Sequence, residues 1–458
     1  MKKFTSRYIA ILMAGFLMCS NAELLPNQIS TSLTAHAYDT VNASDGLKYK
    51  VYDDYAVVTG ATEEKFWVVI PDGFQKEDGT VVPVTEIASR AFEDEKTITD
   101  LTLGANVTSI GLCAFAGCTN LARTVFNEGL EEIGQEAFEN CGIEELTLPA
   151  TLKEVKGWGF SNNTNLRSVN FLGGNELVIG GQSFRECEAL ETVTMGDGVA
   201  KIDGYCFYKC SNLKTVQLSS TLKTIDDAFY YCTGLEQIKI PDSVETIGNR
   251  AFEYCTSLKE IEIGSVETIG EDAFRNCDLT TVTLHEGLKT IGAYAFAENV
   301  NLTEITIPST VEQIGRNIYY GNTFLSTGLE SITFLGMNTV LYNLNLPKTT
   351  VIRGYEGSTA QAYAEENGKP FEVISSDSEQ EQPTDTSQIV WGDANGDNQT
   401  DILDIVVINK IILGQKISTE EIRKNCDTNQ NNIIDTTDSL NIMKLIVNLL
   451  TQQDFPIN

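Results

Sequence analysis

Histidine is almost missing from this chain, with two copies in 458 residues, His36 and His285. Imidazole chemistry therefore has little to build on. His285 follows Val282-Thr283-Leu284 at a turn, and no nucleophile stands beside it in the sequence to make a Ser-His or Cys-His pair. A solvated turn histidine is the expectation. Basic residues are also scarce, 32 against 64 acidic ones, for a net charge of −32. Such a field repels nucleic acid and anionic membranes while attracting divalent cations. Long apolar runs are absent beyond the N-terminal segment, so no membrane span is expected.

What is present begins with a basic start, Met1 to Arg7, and an apolar run, Tyr8 to Met18. Ala35-His36-Ala37 then supplies small residues of the kind cleaved after a secretory signal. Residues 1–37 are expected to be removed, with a second possible cut after Ala22. The exported chain would keep 29 basic and 63 acidic side chains, or −34. It is expected to be secreted and extracellular.

The middle of the chain is a repeat. Phenylalanine recurs at 92, 115, 138, 160, 184, 207, 229, 252, 274 and 296, a nearly constant step, and Tyr319 marks a degraded eleventh unit. One unit reads Val244-Glu245-Thr246-Ile247-Gly248-Asn249-Arg250-Ala251-Phe252-Glu253-Tyr254-Cys255-Thr256-Ser257-Leu258-Lys259-Glu260-Ile261-Glu262-Ile263. It parses as a turn, an Ile-Gly corner, the Phe segment and a brief apolar-x-apolar strand. A unit this short cannot enclose a core alone, so neighbours must stack around one interior. That predicts a right-handed, curved solenoid with one parallel strand per turn. The phrase resembles the BspA-like leucine-rich repeat of bacterial surface proteins, where Ile-Gly, Ala-Phe and Cys-x-x-Leu fall at these places. The resemblance implies a leucine-rich repeat fold and a binding scaffold, without naming the partner.

Both ends of the stack need covers. Residues 38–84, with strand-like Tyr49–Tyr52 and Trp67–Ile70, are expected to form a β-rich N-terminal cap. The solenoid with its C-terminal cap is placed at 85–374, the cap comprising Val351–Tyr355, a helix-like Ser358–Asn367 and Phe371–Ile374. Residues 375–390 hold almost no apolar side chain and read as a flexible linker. Seven cysteines sit three positions after a repeat Phe (118, 141, 187, 210, 232, 255 and 277), with Asn163 and Asn299 in the same slot elsewhere. Export favours disulfides, but side chains stacked in parallel have poor geometry for a bridge. A ladder of buried free thiols, able to satisfy backbone groups, is the expectation.

Residues 391–454 carry a twelve-residue loop in two copies, Asp393 to Asp404 and Asp427 to Asp438. Oxygen side chains fall at loop positions 1, 3, 5, 9 and 12: Asp393, Asn395, Asp397, Asp401 and Asp404, then Asp427, Asn429, Asn431, Asp435 and Asp438. Position 7, Gln399 or Ile433, would give its backbone carbonyl. This is a donor set for Ca²⁺, predicting two calcium sites. The second loop has one carboxylate fewer, so weaker affinity is expected there. With an amphipathic helix after each loop and none before the first, the segment resembles a type I dockerin, a small all-α calcium-binding module of two loop-helix repeats. The resemblance implies docking onto a cohesin of a cellulosomal scaffoldin. Its recognition positions fall on Ile402, Leu403, Asn409 and Lys410 in the first half, and on Thr436, Thr437, Met443 and Lys444 in the second. The apolar Ile402-Leu403 pair against Thr436-Thr437 predicts one preferred docking orientation.

No region outside the repeats is large enough for a catalytic domain, so a non-enzymatic protein is expected. The leading reading is a protein displayed through cohesin, whose solenoid serves protein interaction or adhesion. A polysaccharide-binding accessory for plant cell-wall degradation and an undetected hydrolase are the alternatives. The outward residue of each strand, from Thr102 and Val125 to Thr306 and Thr333, is mostly Thr and never aromatic. That column favours a protein ligand over a glycan. Tyr205, Tyr208, Tyr230, Tyr231 and Tyr254 cluster near the Phe segment and offer a second surface.

Overall fold

So short a repeat must bury its apolar positions against its neighbours, and the computed structural model shows how. It describes residues 40–174, 176–316 and 322–374, and, further on, 394, 402–412, 426, 428, 434 and 436–446. The chain divides into two compact units, Met1–Ser375 and Ser376–Asn458.

The first unit is a parallel β-solenoid with a continuous core running from Leu47 to Ala364. Its apolar-x-apolar segments form parallel ladders in register. Thr147 lies beside Asn170, Asn170 beside Thr194 and Thr194 beside Gln217. The flanking apolar residues point inward, as at Leu146 and Leu148, while Thr147 faces solvent. A second parallel ladder, where the repeat predicts only a corner, joins the two-residue strands Thr246–Ile247, Thr268–Ile269 and Thr290–Ile291. Each turn thus contributes strands to two ladders. The Ile-Gly glycine follows from this packing, because a Cβ on Gly270 would meet the Gly248 carbonyl carbon at 2.5 Å.

The Phe segment joins the ladders as overlapping turns. Around Phe115, the N–H groups of Cys113, Phe115 and Gly117 donate to carbonyls of Gln135, Ala137 and Glu139 on the next rung, at 2.8 to 3.0 Å. The positions two before and two after each repeat Phe take positive φ on every rung from Phe92 to Phe324. Only one of those positions, Gly117, is a glycine. Each of the others costs about 1 kcal/mol, a strain that rung-to-rung hydrogen bonding and ring burial offset. The rings are fully buried and stack at 5.0 to 5.9 Å with planes within 11° of parallel. The eleventh ring is Phe324, not Tyr319. It follows Phe296 by more than the usual step. Tyr319 lies outside the described residues.

The cysteine slot closes the hydrogen bonding of this turn. Each repeat Phe carbonyl has two lone pairs. In the Phe207 turn one accepts the Cys210 N–H (3.1 Å), and the other accepts the Cys232 thiol of the next rung (3.1 Å). The same thiol contact recurs from Cys118 to Phe92 and from Cys277 to Phe252, both at 3.1 Å. Asn163 and Asn299 do the same with an amide, each bridging two Phe carbonyls at 2.8 to 2.9 Å. The nine cysteines of the solenoid, 113, 118, 141, 187, 206, 210, 232, 255 and 277, are buried and free. Burial pushes the Cys118 and Cys187 thiols up to about 12, so they stay protonated donors.

The N-terminal cap is a hairpin of Leu47–Val51 and Ala56–Ala61, the latter lying parallel to Val81–Ile87 at the head of the second ladder. Trp67–Val69 pairs with Asp100–Thr102 and adds a first strand to the outward ladder. At the other end, Val351–Gly354 and Phe371–Val373 extend the sheet. Helix α1, Thr359–Glu366, starts where the Ser358 hydroxyl accepts the Gln361 N–H, and it buries Ala360 and Ala364 against the core.

Candidate functional site

Among the described residues of the second unit are two helices of equal length, α2 (Ile402–Ile412) and α3 (Thr436–Ile446). Each begins at position 10 of its loop, so the duplication in sequence is a duplication in structure. A small core joins them through Ala394, Ile405, Ile408, Cys426 and Ile442. Ile408 stands in the same place after Asp404 as Ile442 does after Asp438, so the halves contribute equivalent side chains.

Of the twelve expected calcium ligands, the two position-12 carboxylates are described, and both are fully buried. Asp404 Oδ1 accepts the Ala394 N–H at 2.9 Å, and Asp438 Oδ1 accepts the Thr428 N–H at 2.8 Å. Position 12 thus folds back onto position 2 in both loops. The second half adds a polar cluster that sequence reasoning missed. Thr428 Oγ1 donates to Asp438 Oδ1 at 2.7 Å and accepts from Asn441 Nδ2 at 3.0 Å. In the first half the equivalent pair is Ala394 and Val407. Two positions that change together between the halves are a signal for the contact. Asp393, Asn395, Asp397, Gln399, Asp401, Asp427, Asn429, Asn431, Ile433 and Asp435 lie outside the described residues.

The arrangement fits a hard cation. A buried carboxylate is costly unless paired, hydrogen-bonded or metal-bound, and each loop ends on one at the first turn of a helix. Every side-chain donor named for the loops is an oxygen, with no thiolate or imidazole among them, which suits calcium over zinc or copper.

Among the expected cohesin contacts, Ile402, Leu403, Asn409 and Lys410 lie on α2, and Thr436, Thr437, Met443 and Lys444 on α3. Asn409, Thr436 and Met443 are exposed, and Asn409 Oδ1 also accepts from Ser439 Oγ across the helix pair at 3.1 Å.

On the solenoid, the outward strand column faces solvent, with Asn170 and Thr333 half-buried. His285 is a half-exposed side chain whose Nε2 lies 3.2 Å from Glu262 Oε1. The Phe-turn edge is different in character. Arg185 lies over the rings of Trp158 and Tyr208, at 5.1 and 5.2 Å. Tyr208 adjoins Tyr230 at 5.3 Å, Tyr230 adjoins Tyr231 at 4.7 Å, and Tyr231 stacks on Tyr254 at 4.3 Å. All are half-buried. The tyrosines expected to cluster do so, and Trp158 and Arg185 extend the group.

Beside this row sits Glu253, 5% exposed, with Arg250 and Arg275 at 3.7 and 3.9 Å and Asp227, Asp272 and Tyr230 close by. Burial first, then the Asp272 charge, pushes its carboxyl up to about 7 from 4.5. Between those pH values the folded chain holds a proton the unfolded chain has lost, so stability falls as pH rises through that window. Glu253→Gln is expected to flatten this dependence and to raise stability at pH 8, by at most on the order of 3 kcal/mol. Urea midpoints at pH 5 and pH 8 measure it, and an unchanged pH slope in the variant rejects the assignment.

No helix among the described residues is long and apolar enough to cross a membrane. Residues 85–214, 174–265 and 226–346 match the BspA type leucine rich repeat region, and residues 391–447 match the dockerin type I domain. No curated protein matches the chain. Among solved structures, a leucine-rich repeat protein from Bacteroides ovatus is 24% identical, covering 74% of this chain and 100% of its own (TM-score 0.48). The pneumococcal vaccine antigen PcpA is 20% identical over 74% and 99% (TM-score 0.44). A leucine rich repeat protein from T. pallidum is 26% identical over 47% and 89% (TM-score 0.35). The dockerin type implies cohesin binding and cellulosome-type assembly, the repeats imply protein interaction, and both matched families are non-catalytic modules. The chain belongs to the BspA-type leucine-rich repeat family and carries a C-terminal type I dockerin domain.

Proposed function

We propose that this is a secreted, non-catalytic protein that docks through residues 391–454 onto a scaffoldin cohesin in a calcium-dependent way and displays the solenoid for protein interaction. The observation that carries this reading is the matched closure of the two loops, each ending on a buried aspartate hydrogen-bonded to position 2. Two calcium ions would be held by Asp393, Asn395, Asp397, Asp401, Asp404 and the Gln399 carbonyl, and by Asp427, Asn429, Asn431, Asp435, Asp438 and the Ile433 carbonyl. Bound calcium supplies charge neutralisation, without which clustered carboxylates repel one another.

Ile402, Leu403, Asn409 and Lys410 would form the preferred cohesin face, with Thr436, Thr437, Met443 and Lys444 as its quasi-equivalent. Converting Ile402 and Leu403 together to Asp is expected to weaken cohesin binding at least a hundredfold, and Thr436→Ala with Thr437→Ala by less than tenfold. Calorimetry against a panel of cohesin modules reads both. Intact affinity in the first variant and lost affinity in the second would reverse the orientation.

A further inference from the structure

The aromatic row on the Phe-turn edge lies outside residues 391–454, and the outward strand column does not contain it. We propose that this row is a binding platform for a neutral, extended β-linked polysaccharide running along the solenoid.

Three features point to such a ligand. The row spans the rungs of Phe160 to Phe252 with an aromatic or guanidinium side chain on each, from Trp158 through Arg185, Tyr208, Tyr230 and Tyr231 to Tyr254. Four strand spacings make it about 20 Å long. An extended pyranose chain advances roughly one rung per sugar, so a periodic ligand meets a periodic surface.

The rings also lie in two orientations. Tyr208 is at 88° to Tyr231, and Tyr231 is within 10° of Tyr254. Rings at right angles cannot all present the same side, so the exposed parts of these half-buried rings would meet a ligand in more than one orientation. Faces suit the C–H surface of a sugar, and tyrosine hydroxyls suit its hydroxyl groups.

Finally, charge is locally cancelled although the chain carries −32. Arg185 and Lys209 reach Glu186 (3.1 and 3.6 Å), Arg250 reaches Asp227 (3.7 Å), and Arg275 reaches Glu298 (2.8 Å). An uncharged partner meets no uncompensated charge here, whereas a polyanion would meet the field of the whole chain.

Affinity electrophoresis of the full chain through gels containing hydroxyethylcellulose, neutral xylan or polygalacturonate tests the proposal. Retardation is expected in at least one neutral gel and not in polygalacturonate. Tyr208→Ala with Tyr231→Ala is expected to reduce the affinity at least tenfold. Thr147→Ala with Thr194→Ala on the strand column should leave it unchanged. If the tyrosine pair fails to fold, Trp158→Ala and Tyr254→Ala at the two ends are each expected to cost threefold or more. Lack of retardation in both neutral gels, retention only by polygalacturonate, binding to a protein partner alone, or retardation unaffected by the aromatic variants overturns it.

Discussion

Chelating calcium from the full chain is expected to open residues 391–454 to proteolysis while leaving the solenoid intact. The helices α2 and α3 share a core of only five buried side chains among the described residues, far too little to hold two buried carboxylates by itself. On the proposed calcium-dependent reading, the bound ion would supply folding energy. At a free concentration a thousand times the dissociation constant, one site contributes about 4 kcal/mol, and its removal takes the same amount away. Asp404→Asn and Asp438→Asn sharpen the test. An amide oxygen can still accept from the Ala394 or Thr428 N–H, so the closure survives while the charge goes. Both variants are expected to need at least tenfold more calcium for protease resistance, with the double variant unprotected at millimolar calcium. A chelated module that resists protease as the loaded one does would falsify the calcium-dependent reading.

The second large effect lies in the ring stack. Phe207→Ala is expected to cost about 3–5 kcal/mol, the usual range for emptying a buried ring site. Its consequence exceeds that figure, because a repeat array holds together through nearest-neighbour interfaces. Phe207 stacks on rings at both sides, at 5.4 Å to Phe184 and 5.4 Å to Phe229. Removing it weakens two interfaces at once, and the melt is expected to split into two transitions. Phe324→Ala, at the end of the stack with Phe296 as its ring neighbour, should lower the midpoint without splitting it. A single transition for Phe207→Ala in differential scanning calorimetry would show the stack to be more cooperative than pairwise contacts allow.

Much of this architecture is legible in the sequence. A buried ring once per turn writes its own period, and the cysteine and asparagine slot announces a small polar group that answers a backbone carbonyl. Helix α1 is equally plain, as is the duplicated loop-helix pattern. What escapes notice has physical reasons. A two-residue strand such as Thr268–Ile269 has no room for alternation, so the second ladder reads as a corner. Left-handed backbone is usually flagged by glycine, and here Arg250, Tyr254 and their equivalents occupy those positions instead. Phe324 is passed over for Tyr319 because the longer step after Phe296 breaks the period. The Thr428–Asn441–Asp438 cluster and the burial of Glu253 depend on contacts between side chains that no periodicity records.

The thiol-to-carbonyl ladder also sets how the solenoid carries load. Tension entering from the C-terminal side would reach the cap strands Phe371–Val373 and Val351–Gly354 first, and then the last Phe rung, where Phe324 stacks at 5.9 Å on Phe296 and Thr327 Oγ1 donates to its own turn's Phe324 carbonyl. Each rung is fastened to the one before it by the same few hydrogen bonds, so rungs can peel singly. A freed rung of about 22 residues spans at most about 80 Å when extended, lengthening the tether while the rungs behind it stay stacked.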